Sequence, residues 1–396
     1  MHKRVMNTLD PQQLEGEAAL VRVDFNVSLQ AKRSRASHRI RKTMPTIKWL
    51  CSQGCRVVLM SHLGRPQGRR VRELSLRPFV PQVEQELGAP VRFFDNLLGP
   101  VQREIRYMQP GEVVLLENVR FLPREDQNDP VTAAALARFG DFFVNDAFGA
   151  AHRAHSSTVA IAHLLKPAVA GFLMEEEYKY LQDILADPDR PFVAVVGGAK
   201  ISSKIREIET LLNKVDQIII GGAMANTFFL AMGLDVGMSI VEHEMVDVAH
   251  RIMEKGGDRV ILPTDVVIAQ DLYDPSEACD VAHDAVPSGW SIYDIGLETR
   301  ARYAACIEKA KTVVWNGPMG VFESPPFDAG TVAMAQALAL ASEAGTTTIV
   351  GGGDSAAAVA RAGLEDRMSH VSTGGGASLD LIAGKELPGV SALDDV

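Results

Sequence analysis

Polar and basic side chains recur in the first half of the sequence directly after short apolar runs. The residues after these runs are Asp24, Phe25 and Asn26, then His62, Leu63, Gly64 and Arg65, then Arg120, and then Arg153, with Arg39 standing after the first group. Guanidinium groups pair with phosphate and carboxylate oxygens, so several arginines together favour a ligand that carries both charges. One arginine alone is usually a solvated surface charge. It is the repetition after successive runs that predicts a polyanion site.

The acidic and histidine positions among these arginines allow two interpretations each. Asp24, with Asn26 beside it, either neutralises the arginines or orients a ligand hydroxyl. His152 and His155 flank Arg153, and packing explains them as well as ligand binding does. The residue types alone leave these alternatives open.

The second half carries glycine clusters where the first half carries arginines. Gly197 and Gly198 end an apolar run, and Lys200 and Lys204 follow at the predicted start of a helix, where they are either phosphate ligands or ordinary surface lysines. Three consecutive glycines also stand in residues 351–355 and again in residues 374–378, each time before a further helical segment. Bare amides at helix N-termini bind anions, and glycine lets phosphate oxygens approach closely. Asp354 within the first of these turns can meet Mg²⁺, so the pattern favours a metal-nucleotide site.

Two common nucleotide motifs are missing from the sequence. No G-x-x-x-x-G-K-[ST] occurs, because Gly384 and Lys385 are followed by Glu386. A nicotinamide dehydrogenase would need G-x-G-x-x-G with an acidic residue about twenty positions on, and this pattern is not found either. A Walker-type kinase and a dehydrogenase are therefore disfavoured.

The elements that must position these residues follow a βαβ pattern. The predicted strands are residues 18–23, 56–60, 112–116, 142–144, 192–196, 217–220, 259–262, 312–315 and 346–350. Between the first two, helical spacing of apolar residues predicts a helix with Thr43 as its cap, Pro45 in its first turn and Gly54 at its stop. Ligands of open parallel sheets bind at the carboxyl ends of the strands, where the polar residues stand.

The length of 396 residues predicts two domains. A helix-forming run closed by the Pro- and Asp-rich residues 187–191 marks the boundary. We expect an N-terminal domain over residues 1–173, an interdomain helix and hinge over 174–190, a C-terminal domain over 191–375, and a segment over 376–396 that returns toward the N-terminal domain. The fold class is α/β, with a Rossmann-like parallel sheet flanked by helices in each domain and an interdomain cleft.

Composition and charge narrow the function further. The net charge of −10 disfavours nucleic acid as the main partner, yet residues 21–80 hold 14 Lys and Arg against 2 Asp and Glu. Four scattered cysteines without metal-ligand spacing are expected to be reduced core residues. The N-terminus lacks a secretory apolar core and no long apolar run occurs, so a cytoplasmic protein without membrane contact is expected.

Long motifs along the whole chain resemble those of phosphoglycerate kinases. They are VRVDFNV, MSHLGRP, LENVRF, NDAFGAAHRAHSS, VVGGAKISSKI, GGAMANTF, VWNGPMGVFE, VGGGDSAAAV and STGGGASLDLIAGKELPGV, in the family's order and spacing. The resemblance implies reversible transfer of the acyl phosphate of 1,3-bisphosphoglycerate to Mg-ADP by a monomer. The main alternative from another functional class is a two-domain anion- or nucleotide-binding protein without catalysis.

The resemblance also assigns roles to residues. Asp24, Phe25, Asn26, Arg39, His62, Leu63, Gly64, Arg65, Arg120 and Arg153 are similar to the 3-phosphoglycerate site. Gly198, Lys204, Gly222, Asn316, Glu323, Gly352, Gly353, Asp354 and Ser355 are similar to the nucleotide site, with Asp354 on the Mg²⁺. Arg39, Lys200, Lys204, Gly375 and Gly376 are similar to the groups around the transferring phosphate. No residue is assigned as a general base, because the acyl-phosphate carboxylate is a good leaving group.

The chain departs from the family pattern at a few loop positions. Ser28 and Leu297 stand where prolines are expected, and residues 30–37 are unusually basic. These changes touch loop conformation and substrate affinity and remove no ligand-binding side chain.

Overall fold

The computed structural model describes residues 2–26, 34–97 and 101–396, without the side chains of residues 34–37, 101, 102 and 183. Ser28 and residues 30–33 lie outside the described residues. The chain forms two compact units, Met1–Lys179 together with Glu386–Val396, and Tyr180–Lys385. In the described part of the chain, no helix combines the length and apolar character that a membrane span requires.

The first unit is built around a parallel sheet of six strands. The strands are β1 (Ala18–Arg22), β2 (Arg56–Met60), β3 (Val91–Phe94), β4 (Val113–Leu116), β5 (Phe142–Asn145) and β6 (Ala168–Ala170). The helices are α1 (Ser34–Ser52), α2 (Val80–Leu87), α3 (Val101–Arg106), α4 (Pro130–Ala137), α5 (Ile161–Leu164) and α6 (Phe172–Tyr178). The strand order is β3-β4-β2-β1-β5-β6. Because β1 pairs with β2 on one side and β5 on the other, the loops after β1 and β5 flank the point where the strand order reverses.

The second unit repeats this design. Its strands are β7 (Phe192–Val196), β8 (Gln217–Ile220), β9 (Val260–Ile261), β10 (Asp265–Ala269), β11 (Cys279–Ala282), β12 (Ser291–Ile295), β13 (Thr312–Asn316), β14 (Thr347–Gly351) and β15 (His370–Val371). Its helices are α7 (Ile205–Leu212), α8 (Met224–Ala231), α9 (Val246–Gly256), α10 (Leu297–Glu308), α11 (Ala329–Glu343), α12 (Gly353–Arg361) and α13 (Gly375–Ile382). Six strands form a parallel sheet in the order β15-β14-β13-β7-β8-β9, and β11-β10-β12 form a separate antiparallel sheet. The loops after β7 and β13 therefore flank the second reversal point.

Buried apolar strands explain why both sheets form. All five residues of β1 and of β7 are buried, as expected of parallel strands covered by helices on both faces. The nine strands predicted from apolar runs are all present, each within one or two residues of its expected bounds. The expectation of two helix-flanked parallel sheets is confirmed.

The first helix differs from its predicted form. We expected Thr43 to cap it, but α1 begins at Ser34 and Pro45 lies inside it. The Thr43 hydroxyl donates to the carbonyl of Ile40 within the helix at 2.8 Å. The prediction began the helix too late, because buried Ile40 lies four residues before Met44 and extends the same apolar spacing toward the N-terminus. The predicted stop is correct, since Gly54 follows the helix with φ of +76°.

The C-terminal segment belongs to the first unit. Helix α14 (Pro388–Ser391) lies within it, and the Asn145 amide at the end of β5 donates to the carbonyl of Gly389 at 2.9 Å. The backbone of Asp394 also bonds Ala168 of β6. The helical run that begins with α6 continues through a π-helical stretch, Lys179–Ile184, across the boundary between the units. A hinge over residues 174–190 stays a prediction.

Candidate active site

A carboxylate and an amide in the loop after β1 form one hydrogen-bonded group with an arginine of α1. Arg39 Nη1 donates to Asp24 Oδ2 and to the carbonyl of Asn26, both at 2.8 Å. The Asn26 side chain accepts from the backbone N–H of Gly64 at 2.9 Å, which joins the loops after β1 and β2. Arg120 donates to the carbonyl of Gly64 at 2.7 Å and links the loop after β4. Five of the predicted residues are thus brought together.

A buried arginine behind this group fixes the state of His62. Arg22, the last residue of β1, is fully buried, and its Nη2 lies 2.9 Å from His62 Nδ1. Because a guanidinium can only donate, Nδ1 must accept, and neutral His62 carries its proton on Nε2. Burial, with Arg22 and Arg120 nearby, lowers the pKa of His62 well below its usual value. The imidazole is therefore a neutral hydrogen-bond donor through Nε2.

A second buried carboxylate lies on the other side of Arg120. Glu125 is 1% exposed, and its Oε2 lies 3.6 Å from Arg120 Nε and 3.7 Å from His155 Nδ1. Ser157 donates to Glu125 Oε1 at 2.5 Å and accepts from Arg22 Nε at 3.0 Å. Burial lowers the pKa of His155 to about 4, so this imidazole is neutral at pH 7. The Glu125 charge is left to compensate the two buried arginines.

An open cavity of about 430 Å³ adjoins this cluster. Its lining includes Arg65, Arg120, Arg153, His155 and Glu125. Arg65 and Arg153 are exposed, and no hydrogen bond or ion pair to the described residues occupies either guanidinium. The cavity can therefore receive a multiply charged anion.

Two of the predicted residues can contribute only their main chain. The side chains of Phe25 and Leu63 are buried, at 0% and 2% exposed. Phe25 N donates to Ser61 Oγ at 2.9 Å, and the carbonyl of Leu63 accepts from the Asn118 amide at 2.8 Å. Both residues shape the loops on which the polar groups stand.

The loops after β7 and β13 hold a half-buried lysine in the second unit. Lys204 Nζ donates to the carbonyl of Asn316 at 2.7 Å and to its Oδ1 at 2.9 Å. Asn316 Nδ2 in turn donates to Glu207 Oε1 at 2.9 Å. Burial lowers the pKa of Lys204 and raises that of Glu207 to about 7. A lysine held in this way presents its remaining N–H to an anion in a place poorly solvated by water.

The other predicted lysine lies outside the helix. We expected Lys200 and Lys204 on the first turn, but α7 begins at Ile205 and Lys204 is its N-cap. Lys200 is exposed in the preceding turn. The helix starts late because Gly197 and Gly198 lead into an irregular loop that bonds to the segment after β13, through Gly198 N and the carbonyl of Pro318 at 2.8 Å.

Glycines let several loops approach one another here. A Cβ at Gly222 would lie 2.5 Å from Gly198 N, and one at Gly352 would lie 2.5 Å from Asn316 Oδ1. Gly352 has φ of +83° and caps α12, whose first turn carries Asp354 and Ser355. Gly375 begins α13, and a Cβ there would lie 3.1 Å from Gly353 N. The amide-rich starts of α12 and α13 are thereby neighbours, which is the arrangement that binds phosphate oxygens.

A cavity of about 580 Å³ begins at these loops and continues between apolar walls. Gly198, Gly222 and Asp354 lie at the loop end, and Phe229, Met238, Ile240, Ile292, Tyr293 and Phe322 line the walls. The exposed Glu323 lines it as well. Its size suits a nucleoside whose phosphates lie on the glycine loops.

Asp354 was also expected to bind a metal ion. Its carboxylate is exposed and takes part in no hydrogen bond or ion pair with the described residues. Among those same residues no group of three metal-ligating side chains occurs. One free carboxylate beside a phosphate site fits Mg²⁺, which is usually held by one or two carboxylates, phosphates and water.

Sequence reasoning missed three buried residues of these sites. Arg22 ends an apolar strand, and a charge inside such a run was the available signal. Glu125 and Glu207 gave no signal, because their importance comes from burial beside Arg120 and Lys204.

Comparisons with known proteins identify the family of this chain. A family model described as phosphoglycerate kinase matches residues 9–385. The chain belongs to the phosphoglycerate kinase family. Phosphoglycerate kinase from Chloroflexus aggregans is 53% identical over the full length of both chains. The cytosolic phosphoglycerate kinase 3 of Arabidopsis thaliana is 50% identical, with 99% of each chain covered.

Solved structures of the family give the same fold. The phosphoglycerate kinase of Coxiella burnetii is 40% identical and matches with a TM-score of 0.85, covering 98% of each chain. Membership of the phosphoglycerate kinase family makes the chain a phosphotransferase. Its reaction is the reversible transfer of a phosphoryl group between 1,3-bisphosphoglycerate and ADP, which gives 3-phosphoglycerate and ATP.

Proposed function

We propose that the first unit binds 3-phosphoglycerate and that the second binds the Mg-nucleotide. The observation that carries this division is the half-buried Lys204, which Asn316 holds among the glycine loops that adjoin a nucleoside-sized cavity. The arginine-lined cavity of the first unit supports the acid site.

Arg65, Arg120 and Arg153 bind the phosphate and carboxylate of the acid. His62 and Asn26 orient its hydroxyl and carboxylate, because His62 donates through Nε2 and Asn26 is fixed by Gly64. Asp24 aligns Arg39, which with Lys204 compensates the negative charge on the moving phosphoryl group.

Transfer toward ADP needs no general base. A terminal oxygen of ADP forms a bond to phosphorus while the bond from phosphorus to the acyl oxygen breaks, and the electron pair stays on the carboxylate that leaves. The protein positions the reactants in line and supplies charge compensation. Lys204 and the amides of Gly375 and Gly376 serve in that role, and Lys200 contributes from the exposed turn.

The nucleotide phosphates lie on Gly352, Gly353 and Ser355, with Asp354 holding the Mg²⁺. When bound, the metal neutralises charge on the nucleotide phosphates. Gly198 and Gly222 let the phosphate chain pass close to the backbone, and Glu323 accepts from the ribose hydroxyls. Asn316 acts through Lys204, which its side chain orients.

Because the two ligands are assigned to separate units, we propose that bending over residues 174–190 brings them together and excludes water. The enzyme works as a monomer in the cytoplasm, without nucleic acid or membrane partners.

An assay of the purified protein tests this function. ATP-dependent formation of 1,3-bisphosphoglycerate from 3-phosphoglycerate is expected with Mg²⁺ and lost with excess chelator. Binding of both ligands without turnover would support a binding protein instead.

A further inference from the structure

A buried glutamate stands behind Lys204 and reaches it through an amide. Glu207 lies on α7 and is 3% exposed, and its Oε1 accepts from Asn316 Nδ2 at 2.9 Å. Asn316 Oδ1 accepts in turn from Lys204 Nζ at 2.9 Å. An ammonium can only donate and an ionised carboxylate can only accept, so both ends fix the same orientation of the amide. The three side chains therefore form one hydrogen-bonded network.

This network sets the position of the Lys204 ammonium. Asn316 takes two of its three N–H groups, one with the main-chain carbonyl at 2.7 Å and one with the side chain. A Cβ at Gly317 would lie 2.7 Å from Lys204 Nζ, and one at Gly352 would lie 2.5 Å from Asn316 Oδ1. The network thus fits closely against two glycines, and the third N–H is left for an anion beside them.

Hydrogen bonding alone does not explain why an acid occupies position 207. Glu207 Oε2 meets no donor among the residues that the structure describes, and Oε1 suffices for the bond to Asn316. A glutamine would accept that bond equally well. The property that glutamine lacks is the negative charge, so we looked for the group on which this charge acts.

That group is Lys204. Burial lowers the pKa of Lys204, whereas the charges of Glu207 and then Asp354 raise it. Burial raises the pKa of Glu207 to about 7, against the lowering effects of Lys204 and of the Asn316 bond. On β8, α9 and α13, which pack against α7, no charged group of the described residues acts on the Glu207 carboxyl. Above pH 7 the carboxylate therefore favours the protonated ammonium.

We propose that Glu207 is a positioning residue for phosphoryl transfer, which keeps Lys204 protonated and, through Asn316, aimed at the transferring group. This rests on the proposed nucleotide site of the second unit. Glu207 itself touches no reacting atom. It acts through the charge and the direction of the ammonium, which compensates the negative charge on the moving phosphoryl group.

The test follows kcat/KM for ATP between about pH 6 and about pH 9 in the wild-type protein and in Glu207→Gln, because this parameter reports ionisation of the free enzyme. Ionisation of ATP itself cancels in the ratio of the two proteins. At low pH the wild-type carboxyl is protonated and uncharged, so the ratio is expected to approach one. At high pH the variant lacks the charge that keeps Lys204 protonated. The ratio is therefore expected to grow about tenfold, the equivalent of one unit in the pKa of Lys204.

A second measurement needs no turnover. Acetic anhydride acetylates only deprotonated amines, so the pH dependence of Lys204 acetylation, followed by mass spectrometry, gives the pKa of this lysine in the free protein. Glu207→Gln is expected to lower this pKa. Glu209→Gln, at an exposed glutamate of the same helix, is the matched control and leaves it unchanged.

A second variant separates charge from orientation. Glu207→Leu removes the charge and also the acceptor of Asn316, and a buried apolar side chain needs no partner, so this variant is expected to fold even where Glu207→Gln does not. It should lower the pKa of Lys204 as Glu207→Gln does. It should also lower kcat about tenfold further at every pH, because Asn316 loses one hydrogen bond that orients it.

Failure of the proposed function is distinguishable from failure of this inference. A wild-type protein without turnover would contradict the proposed function, and the pKa of Lys204 in the variants would then decide the action of Glu207 by itself. An unchanged Lys204 pKa in both variants would overturn the proposal. A loss of kcat/KM in Glu207→Gln that is the same at every pH would also overturn it, because Glu207 would then only support the fold.

Discussion

At the scale of single residues, burial decides what a charge can do in both units. Lys204 and Arg22 are the same types of residue as the many exposed cations of this chain, but Lys204 is half-buried, Arg22 is fully buried, and each is bonded to a fixed partner. Desolvation strengthens their electrostatic effect on a bound anion and removes the freedom to turn away. A sequence shows the residue type, whereas the effect depends on surroundings assembled from distant segments.

We expect Lys204→Ala to lower kcat by about 10²-fold or more, because it removes one preorganised donor from the transferring phosphoryl group. Steady-state kinetics in both directions measure this. The control is Lys309→Ala, at an exposed lysine of the same unit, which is expected to keep normal turnover. Near-normal kcat in Lys204→Ala would remove the residue from the mechanism.

Glu125→Gln is expected to raise the KM for 3-phosphoglycerate about tenfold while the KM for ATP stays unchanged. The substitution removes the charge that lies 3.6 Å from Arg120 Nε, so the guanidinium loses the partner that aims it. Removing one member of a buried ion pair also destabilises the fold, so the melting temperature falls. Glu104→Gln, at an exposed glutamate on α3 of the same unit and away from the cavity, is the matched control. A change in kcat alone, with both KM values unaltered, would contradict a positioning role.

Because the effect of a residue depends on its surroundings in the folded chain, the sequence predicted only part of the candidate site. The arginines and glycines could be predicted because they recur after apolar runs. Three other residues of common types occur singly and gave no such signal. Only the folded chain places Glu125 beside Arg120 and Glu207 beside Lys204. Likewise, only the fold shows that Asn226 lines the cavity of the second unit.

At the scale of elements, the parallel strands were predictable because each is a continuous apolar run. The antiparallel sheet of β10, β11 and β12 was not predicted, although β10 is a buried apolar run. β11 gave no signal because it is largely exposed and mixes polar with apolar residues. The strands β3, β6 and β15 were missed for a related reason. β6 and β15 have three and two residues, and Arg92 interrupts β3. Periodicity needs more residues than these strands offer.

Leu297 stands where the family resemblance predicts a proline. Its N–H, which a proline would lack, donates to Asp280 Oδ1 at 3.0 Å at the start of α10. The bond ties this helix to β11.

The glycine loops give the element-scale prediction. Gly222→Ala is expected to lower the melting temperature and raise the KM for ATP, because the new Cβ would lie 2.5 Å from Gly198 N and push the two loops apart. Gly233→Ala is a close control, since φ is +78° there against +70° at Gly222, and no atom lies within 4 Å of its Cβ. Gly233→Ala should therefore show only the backbone cost of about 1–2 kcal/mol, with unchanged KM. Equal effects of the two substitutions would mean that backbone strain, and not loop contact, explains Gly222.

At the scale of the whole molecule, charge is divided unevenly along the chain. Residues 1–190 hold 26 Lys and Arg against 22 Asp and Glu, whereas residues 191–396 hold 14 against 28. The excess of positive charge coincides with the arginine-lined cavity, and the glycine loops lie in the acidic half. The acid and the nucleotide are thus expected to have separate sites whose binding can be measured independently.

The whole-molecule prediction uses a fragment in which a long flexible Gly/Ser linker joins residues 1–185 to residues 386–396. This fragment is expected to bind 3-phosphoglycerate but not Mg-ATP. The C-terminal segment is included because Gly389 bonds Asn145 and Asp394 bonds Ala168, so a fragment of residues 1–185 alone should melt at a lower temperature. Circular dichroism establishes folding, and calorimetry then measures each ligand. The affinity for 3-phosphoglycerate should fall strongly with added salt, because exposed charges are screened over about 8 Å at physiological ionic strength. Tight binding of Mg-ATP by the folded fragment, with no response to 3-phosphoglycerate, would reverse the assignment of the two ligands to the two units.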